Sequence, residues 1–343
     1  MKNAKKKLLI LPLLLFLVFS IISCKKIEST PPDTENTITT IKLNEVTRSI
    51  FYAPMYAAIT QGFFKDEGIE LDITTGQGAD KTMQQLLSGS VDIGFSGPEQ
   101  VLYIYNQGRE DYPVVFAQLT QKDGSFLVGR NKETAFTWES LKGKTVVGGR
   151  PGGMPEMALE YVLKNSGLDV TKDLNLITNI AFNATAGAFK GGTGDYVALF
   201  EPTGSMLEKE NAGYIVASIG KSAGTLPYTC FYTTKSYVEK NPQILEKFTK
   251  AIYKGQLWVS ENSNEDIAKA IVSFFPGTDE DTMINVIKNY KDIDAFSASP
   301  IVKEADMTRL MDIIESYDSE LLPKRPPLKD IINNSFGEKA IKK

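Results

Sequence analysis

The stretch Leu86 to Pro98, Leu-Leu-Ser-Gly-Ser-Val-Asp-Ile-Gly-Phe-Ser-Gly-Pro, constrains the fold more than any other. Leu86 and Leu87 close an apolar helical face, and Gly89 suits a helix end because it takes positive φ without steric cost. Val91, Ile93 and Phe95 form a strand-like run; Ser96-Gly97-Pro98 stops it and opens a helix, with Pro98 at a first helical position. About 100 residues later Lys190 to Pro202, Lys-Gly-Gly-Thr-Gly-Asp-Tyr-Val-Ala-Leu-Phe-Glu-Pro, repeats the pattern with one extra residue between Asp195 and Pro202. Two such helix–turn–strand–helix units predict two similar lobes, each ending in a loop fit to hold a ligand. The alternative is one common α/β element occurring twice.

The rest of the chain follows this rhythm. Strands are expected at Ile41–Thr47, Ile69–Ile73, Val91–Phe95 and Val114–Thr120, with helices at Pro54–Phe64, Asp80–Leu87 and Pro98–Tyr105. Strands alternating with helices predict a parallel, doubly wound sheet. Val114–Thr120 and Ser125–Gly129 then adjoin with no helix between them, which places the crossing into a second lobe. That lobe continues the alternation: strands Lys144–Gly148, Leu176–Ile180, Tyr196–Phe200 and Tyr214–Ala217, and helices Pro155–Asn165, Ala184–Lys190 and Thr203–Lys209. Tyr228–Thr233 returns as a strand, followed by helices at Pro242–Ser260, Asn264–Phe274, Asp279–Tyr290 and Val302–Tyr317, expected to pack on the first lobe. The fold class is therefore α/β, two doubly wound lobes joined by a hinge, with a C-terminal helical segment. The divisions are 41–122 for the first part of lobe 1, 123–228 for lobe 2, 229–322 for the return and the helices, and 323–343 for a proline- and lysine-rich tail in which Ile331 and Ile332 can dock a short helix.

Composition narrows the chemistry. The 343 residues contain no histidine, which excludes Ser-His-Asp and Cys-His nucleophile systems, His-ligated zinc and His general bases. Lys5-Lys6-Lys7 followed by the apolar run Leu8 to Ile22 reads as a signal peptide over 1–23, too short for a comfortable transmembrane helix. Removing it takes four lysines and no acid, moving the net charge from −4 to −8, which argues against nucleic acid as a partner. Ile21-Ile22-Ser23-Cys24 resembles the lipobox of bacterial lipoproteins, in which the Cys becomes the lipidated N-terminus; Cys24 is the expected lipid attachment site. Residues 24–40, rich in Ser, Thr, Pro and acids, form a solvated tether. With Cys24 lipidated, Cys230 stands alone as a small buried residue in a strand-like run.

Three stretches resemble one family. They are Phe51-Tyr52-Ala53-Pro54-Met55-Tyr56-Ala57-Ala58 with Gly62-Phe63-Phe64-Lys65-Asp66-Glu67-Gly68-Ile69, then Ser88-Gly89-Ser90-Val91-Asp92-Ile93-Gly94, and the glycine loop Gly148-Gly149-Arg150-Pro151-Gly152-Gly153. Together they are similar to the binding proteins for nitrate, taurine, alkanesulfonates and thiamine-pyrimidine precursors, over roughly Ile41 to Ile271. The resemblance implies a periplasmic binding protein fold of type II, no cofactor or metal, a monomer, and delivery of a small molecule to an ABC permease and its ATPase at the outer face of a membrane. One branch of the family makes the thiamine pyrimidine with an active-site histidine and a cysteine-rich iron motif. This chain has neither, so that activity is not implied.

Elementary physics places the ligand site independently. In open α/β sheets ligands sit beyond the carboxyl ends of the strands, where the loops Ser49–Ala53, Gly76–Ala79, Ser96–Pro98 and Arg150–Met154 lie. Each precedes a helix, so free amides and a helix dipole are expected to face the ligand. Gly78, Gly97, Gly152 and Gly153 let the backbone approach it, with Ser96, Gln118 and Met154 alongside. Phe51 and Tyr52 can stack on a flat ligand, or pack at the lobe edge. Arg150 can clamp a sulfonate or carboxylate, or stay solvated. Glu201 can accept from a ligand amine, or cap its helix. Asn183 reads first as an N-cap, and Asp92 and Asp195 as turn residues. The aromatic pair and Glu201 favour a flat nitrogen heterocycle such as a thiamine-pyrimidine precursor; Arg150 and the helix starts point to a small oxyanion. The rival classes are a histidine-free surface enzyme with Glu201 or Asp195 as base, and a signalling module that reports a ligand.

Overall fold

A computed structural model describes residues 38–342. The signal segment 1–23, Cys24 and most of the tether lie outside the described residues. Among the described residues, ten strands form two five-stranded sheets. They are β1 Thr39–Glu45, β2 Ile69–Thr75, β3 Ile93–Ser96, β4 Pro113–Thr120, β5 Ser125–Gly129, β6 Thr145–Val147, β7 Asn175–Ile177, β8 Tyr196–Phe200, β9 Tyr214–Ser218 and β10 Thr229–Thr234. Thr39 and Thr40, read from composition as tether, already belong to β1.

The first sheet runs β2-β1-β3-β10-β4 and the second β7-β6-β8-β5-β9. Both are mixed rather than parallel, and the crossing explains why. The strands β1, β2 and β3 are joined by helical crossovers and pair in parallel, as do β6, β7 and β8. Strand β5 enters the second sheet directly from the first, and β10 enters the first from the second. Each arrives at the end where the lobes meet, so it must run antiparallel to its neighbours.

The repeated unit is a structural repeat down to its hydrogen bonds. The Asp92 carboxylate accepts from the Lys42 amide at 2.8 Å, and the Asp92 amide donates to the Lys42 carbonyl at 2.9 Å. In the second lobe Asp195 does the same with Thr145, at 2.8 and 2.7 Å. Each aspartate ties the turn before a central strand to the parallel strand beside it, β1 in the first lobe and β6 in the second. Asp92→Ala is expected to lower stability by about 1 kcal/mol, because the strand amide loses a charged acceptor. Asp195→Ala should cost less, since Asp195 is exposed and water replaces its bond. Thermal unfolding of both variants checks the order.

The C-terminal helices do more than back the first lobe. Pro242–Glu261 lies so close on Ala53–Thr60 that a Cβ on Gly255 would stand 2.2 Å from the Pro54 carbonyl oxygen. The helices Glu280–Asp292 and Glu304–Tyr317 also touch the second lobe. Lys209 pairs with Asp279 at 3.1 Å, Lys164 donates to the Ser316 carbonyl at 2.7 Å, and the Gly152 amide reaches the Tyr317 hydroxyl at 3.2 Å. The tail is folded: Ile331 is fully buried, and Ser335–Ile341 buries Phe336 against the first lobe's core. Among the described residues no helix is long and apolar enough to cross a membrane.

Candidate functional site

Both chain crossings pass between the sheets, and the loops beyond β1, β3 and β8 converge there on an aromatic centre. Ser49 accepts from the Phe51 amide at 3.2 Å and so caps the short turn Ile50–Tyr52, which fixes the two rings it carries. Phe51 is the hub. Its ring centroid lies 4.7 Å from Tyr290, 5.8 Å from Tyr228, 5.7 Å from Tyr52 and 6.2 Å from Phe200. Tyr52 meets Phe95 edge-on at 4.6 Å. These rings come from both lobes and from the C-terminal helix Glu280–Asp292, and Phe51 and Tyr52 are both buried. Of the two readings of this pair, inter-lobe packing is what the geometry displays directly.

Buried carboxylates lie at the helix starts and in the first crossing. Glu201 follows β8 directly and is 3% exposed. It accepts from the Ser205 amide at 2.8 Å, the Ser205 hydroxyl at 2.7 Å and Asn289 Nδ2 at 2.6 Å, while its own amide donates to the Tyr290 hydroxyl at 3.3 Å. Glu201 thus caps its helix and ties the second lobe to the C-terminal helices. Asp123, in the first crossing, accepts from the Ser125 amide at 2.7 Å and from the Ser125 hydroxyl, with the Tyr228 hydroxyl beside it. Burial pushes its carboxyl up to about 6. Glu99 begins the helix after β3, and burial pushes it up to about 7. Glu156, in the first turn of the helix Met154–Asn165, is raised to about 8 by burial, against the opposing pull of the Gly149 amide. Burial raises the hydroxyl pKa values of Tyr52, Tyr228 and Tyr290, and the neighbouring carboxylates add to the effect.

Of the residues expected at the site, Phe51, Tyr52 and Glu201 meet at the aromatic centre, and the others make contacts of their own. Ser96 Oγ sits 2.6 Å from the Tyr232 hydroxyl, and Met154 joins the core cluster of the first lobe. Gln118 is buried in the first sheet, donating to the Thr120 carbonyl at 3.2 Å. Gly78 is the N-cap of the helix Ala79–Leu87. Arg150 is exposed and pairs with Asp80 across the lobes at 3.4 Å. Asn183 is not the N-cap: it lies exposed in the turn Phe182–Ala184, and Ala184 holds the cap position.

At the second-lobe glycine loop the expectation of free backbone amides is corrected. Gly149 donates to Glu156, Gly152 to Tyr317 and Gly153 to the Arg150 carbonyl. The space beside Gly97 is filled by the Glu99 carboxyl, and that beside Gly148 by Glu156. These glycines make room for the chain's own acids. Glu99, Asp123, Tyr228 and Tyr290 were missed. An acid after Pro98 looks like ordinary helix-start electrostatics, and Tyr290 reaches the site from 89 positions beyond Glu201.

Two α/β lobes crossed twice, with their buried groups gathered between them, define the periplasmic binding protein fold of ABC-type solute-binding proteins. Residues 50–266 match the family described as NMT1/THI5 like, and the chain belongs to that family. It is 46% identical over 326 residues, 95% of either chain, to YtlA of Bacillus subtilis (strain 168). It is 24% identical over 221 residues, 61% of this chain and 63% of the other, to the 4-amino-5-hydroxymethyl-2-methylpyrimidine phosphate synthase THI5 of Saccharomyces cerevisiae. Among solved structures, the alkanesulfonate-binding protein SsuA of Xanthomonas axonopodis pv. citri, bound to MOPS, superimposes with a TM-score of 0.68 at 16% identity, covering 86% of this chain and 98% of that one.

Proposed function

We propose that this chain is the extracytoplasmic solute-binding component of an ABC importer, anchored through lipid on Cys24 to the outer face of the membrane. It captures a small nitrogen heterocycle between its lobes and delivers it to a permease and ATPase, without chemical conversion. The lobes are 41–122 with the return 229–322, and 123–228, and closure about the two crossings buries the ligand.

The observation that carries the choice of ligand is the pairing of an aromatic centre with buried acids that have no basic partner. Among the described residues no salt bridge reaches Glu99, Asp123, Glu156 or Glu201. An oxyanion would meet these carboxylates at the helix starts where it needs donors, and Arg150 faces Asp80. Rings with N–H groups suit the site on both counts.

A thermal-shift screen of 4-aminopyrimidines, taurine, an alkanesulfonate and nitrate tests this. The aminopyrimidines are expected to raise Tm, and Phe51→Leu to weaken their effect more than Arg150→Ala. Stabilisation by the sulfonates or nitrate alone would overturn the heterocycle assignment. Turnover of a bound compound would overturn the binding-protein assignment.

A further inference from the structure

Glu99 is buried beyond what a helix start requires. An acid at this position interacts well with the helix dipole from the surface, yet Glu99 is 2% exposed, with its carboxyl folded over Gly97 at the carboxyl end of the central strand β3. One carboxyl oxygen lies 3.5 Å from Gln100 Nε2; the other, Oε2, has no hydrogen-bond partner. A buried polar atom left in this state is costly unless something else supplies a donor. Its charge is felt by Tyr52, Tyr228, Cys230 and Tyr232, of which Tyr52 and Tyr228 belong to the inter-lobe rings. Asp123 is a second buried acid in this region, with the Tyr228 hydroxyl beside its carboxyl and Oδ2 outside any well-formed hydrogen bond. Aromatic faces and unpaired acids, with no lysine or arginine bridged to them among the described residues, form the chemistry of a cation receptor.

We propose that Glu99 is the counter-ion for the ligand, receiving a protonated nitrogen of an amidinium or aminopyrimidinium group against the ring faces. The inference rests on the heterocycle reading above and adds to it the charge state of the ligand and the residue that reads it. A charge-assisted N–H···O bond to Oε2 gives that oxygen the donor it lacks and neutralises the buried charge.

Benzamidine and benzamide share a shape and differ in charge, so they isolate the effect. Titration calorimetry and thermal shift on the full chain are run with both, and with 4-aminopyrimidine, on the wild type, Glu99→Gln and Glu99→Asp. Benzamidine and 4-aminopyrimidine are expected to bind the wild type at least tenfold more tightly than benzamide. Glu99→Gln should lose tenfold or more for both while unfolding no lower than the wild type, and Glu99→Asp should keep part of the affinity. Equal binding of benzamidine and benzamide by the wild type would overturn the proposal without recourse to any variant. Binding of 4-aminopyrimidine that is unchanged in Glu99→Gln would overturn it while leaving the heterocycle reading intact. Binding of taurine, alkanesulfonate or nitrate alone would overturn both.

Discussion

Replacing Gly220 with alanine is expected to cost about 3 kcal/mol or more and to disturb the hinge. Gly220 is the second residue of the helix Ile219–Ala223, which belongs to the second crossing. A Cβ there would stand 1.9 Å from the backbone carbonyl oxygen of Asp123 and 2.8 Å from its carbonyl carbon, in the first crossing. Neither atom is the end of a flexible side chain, so relief requires the two crossings to separate, and overpacking of this kind destabilises by about 1–3 kcal/mol even where side chains can adjust. The same displacement would move Asp123 away from Ser125 and Tyr228. Gly187→Ala is the control, because open space surrounds Gly187 in its short helix and alanine favours the helix by roughly 0.5–1 kcal/mol. Thermal unfolding should show a fall for the first variant and no fall for the second. Equal midpoints would remove the argument that contact between the crossings fixes the hinge.

Glu156→Gln is expected to have a large effect of opposite sign. The Glu156 carboxyl is fully buried, accepts one hydrogen bond from Gly149, and has its other oxygen unpartnered. Burial lifts it from the usual 4.5 to about 8. The folded protein therefore holds a proton that the unfolded chain releases, so the contribution to stability is full below about 4.5 and is lost as pH rises through about 8. Glu99 and Asp123 act in the same direction over windows ending near 7 and 6. Stability of the wild type should decline from about pH 5 to pH 8 by several kcal/mol. Glutamine keeps the acceptor for Gly149 and cannot ionise, so the variant should gain on the order of 3 kcal/mol at pH 8 and nothing at pH 4. Urea unfolding across that range measures both curves. A parallel displacement at all pH values would show that shape rather than ionisation sets the difference.

These two positions show how far the sequence could be read. Gly220 and Glu156 carry no local signal: one is a glycine near a short helix, the other an acid in a first helical turn. Their importance comes from residues 97 positions and 7 positions away, brought close by the crossing and by the glycine loop. The elements themselves were legible, because period, glycine turns and proline starts are local. The helix over Ala53–Thr60 breaks at Gly62, which takes φ of +79°, before resuming at Phe63–Asp66. The single run expected from Pro54 to Phe64 missed this, since the apolar period continues across the break.

The candidate site divides in the same way. Phe51, Tyr52 and Glu201 could be named from their place at strand ends, because a strand's carboxyl end is a property of the chain alone. Whether an amide there is free depends on what folds back onto it. The sequence alone determined two repeated α/β units, the aspartate that anchors each turn, the crossing near Leu119–Ser125 and the absence of histidine chemistry. Tertiary structure alone decided that Glu99 and Glu156 fill the space beside the loop glycines, that Arg150 turns to Asp80, and that Tyr290 closes the aromatic centre from the C-terminal helices. The first set follows from torsional preference and periodicity along the chain; the second follows from burial, which is set only when distant segments meet.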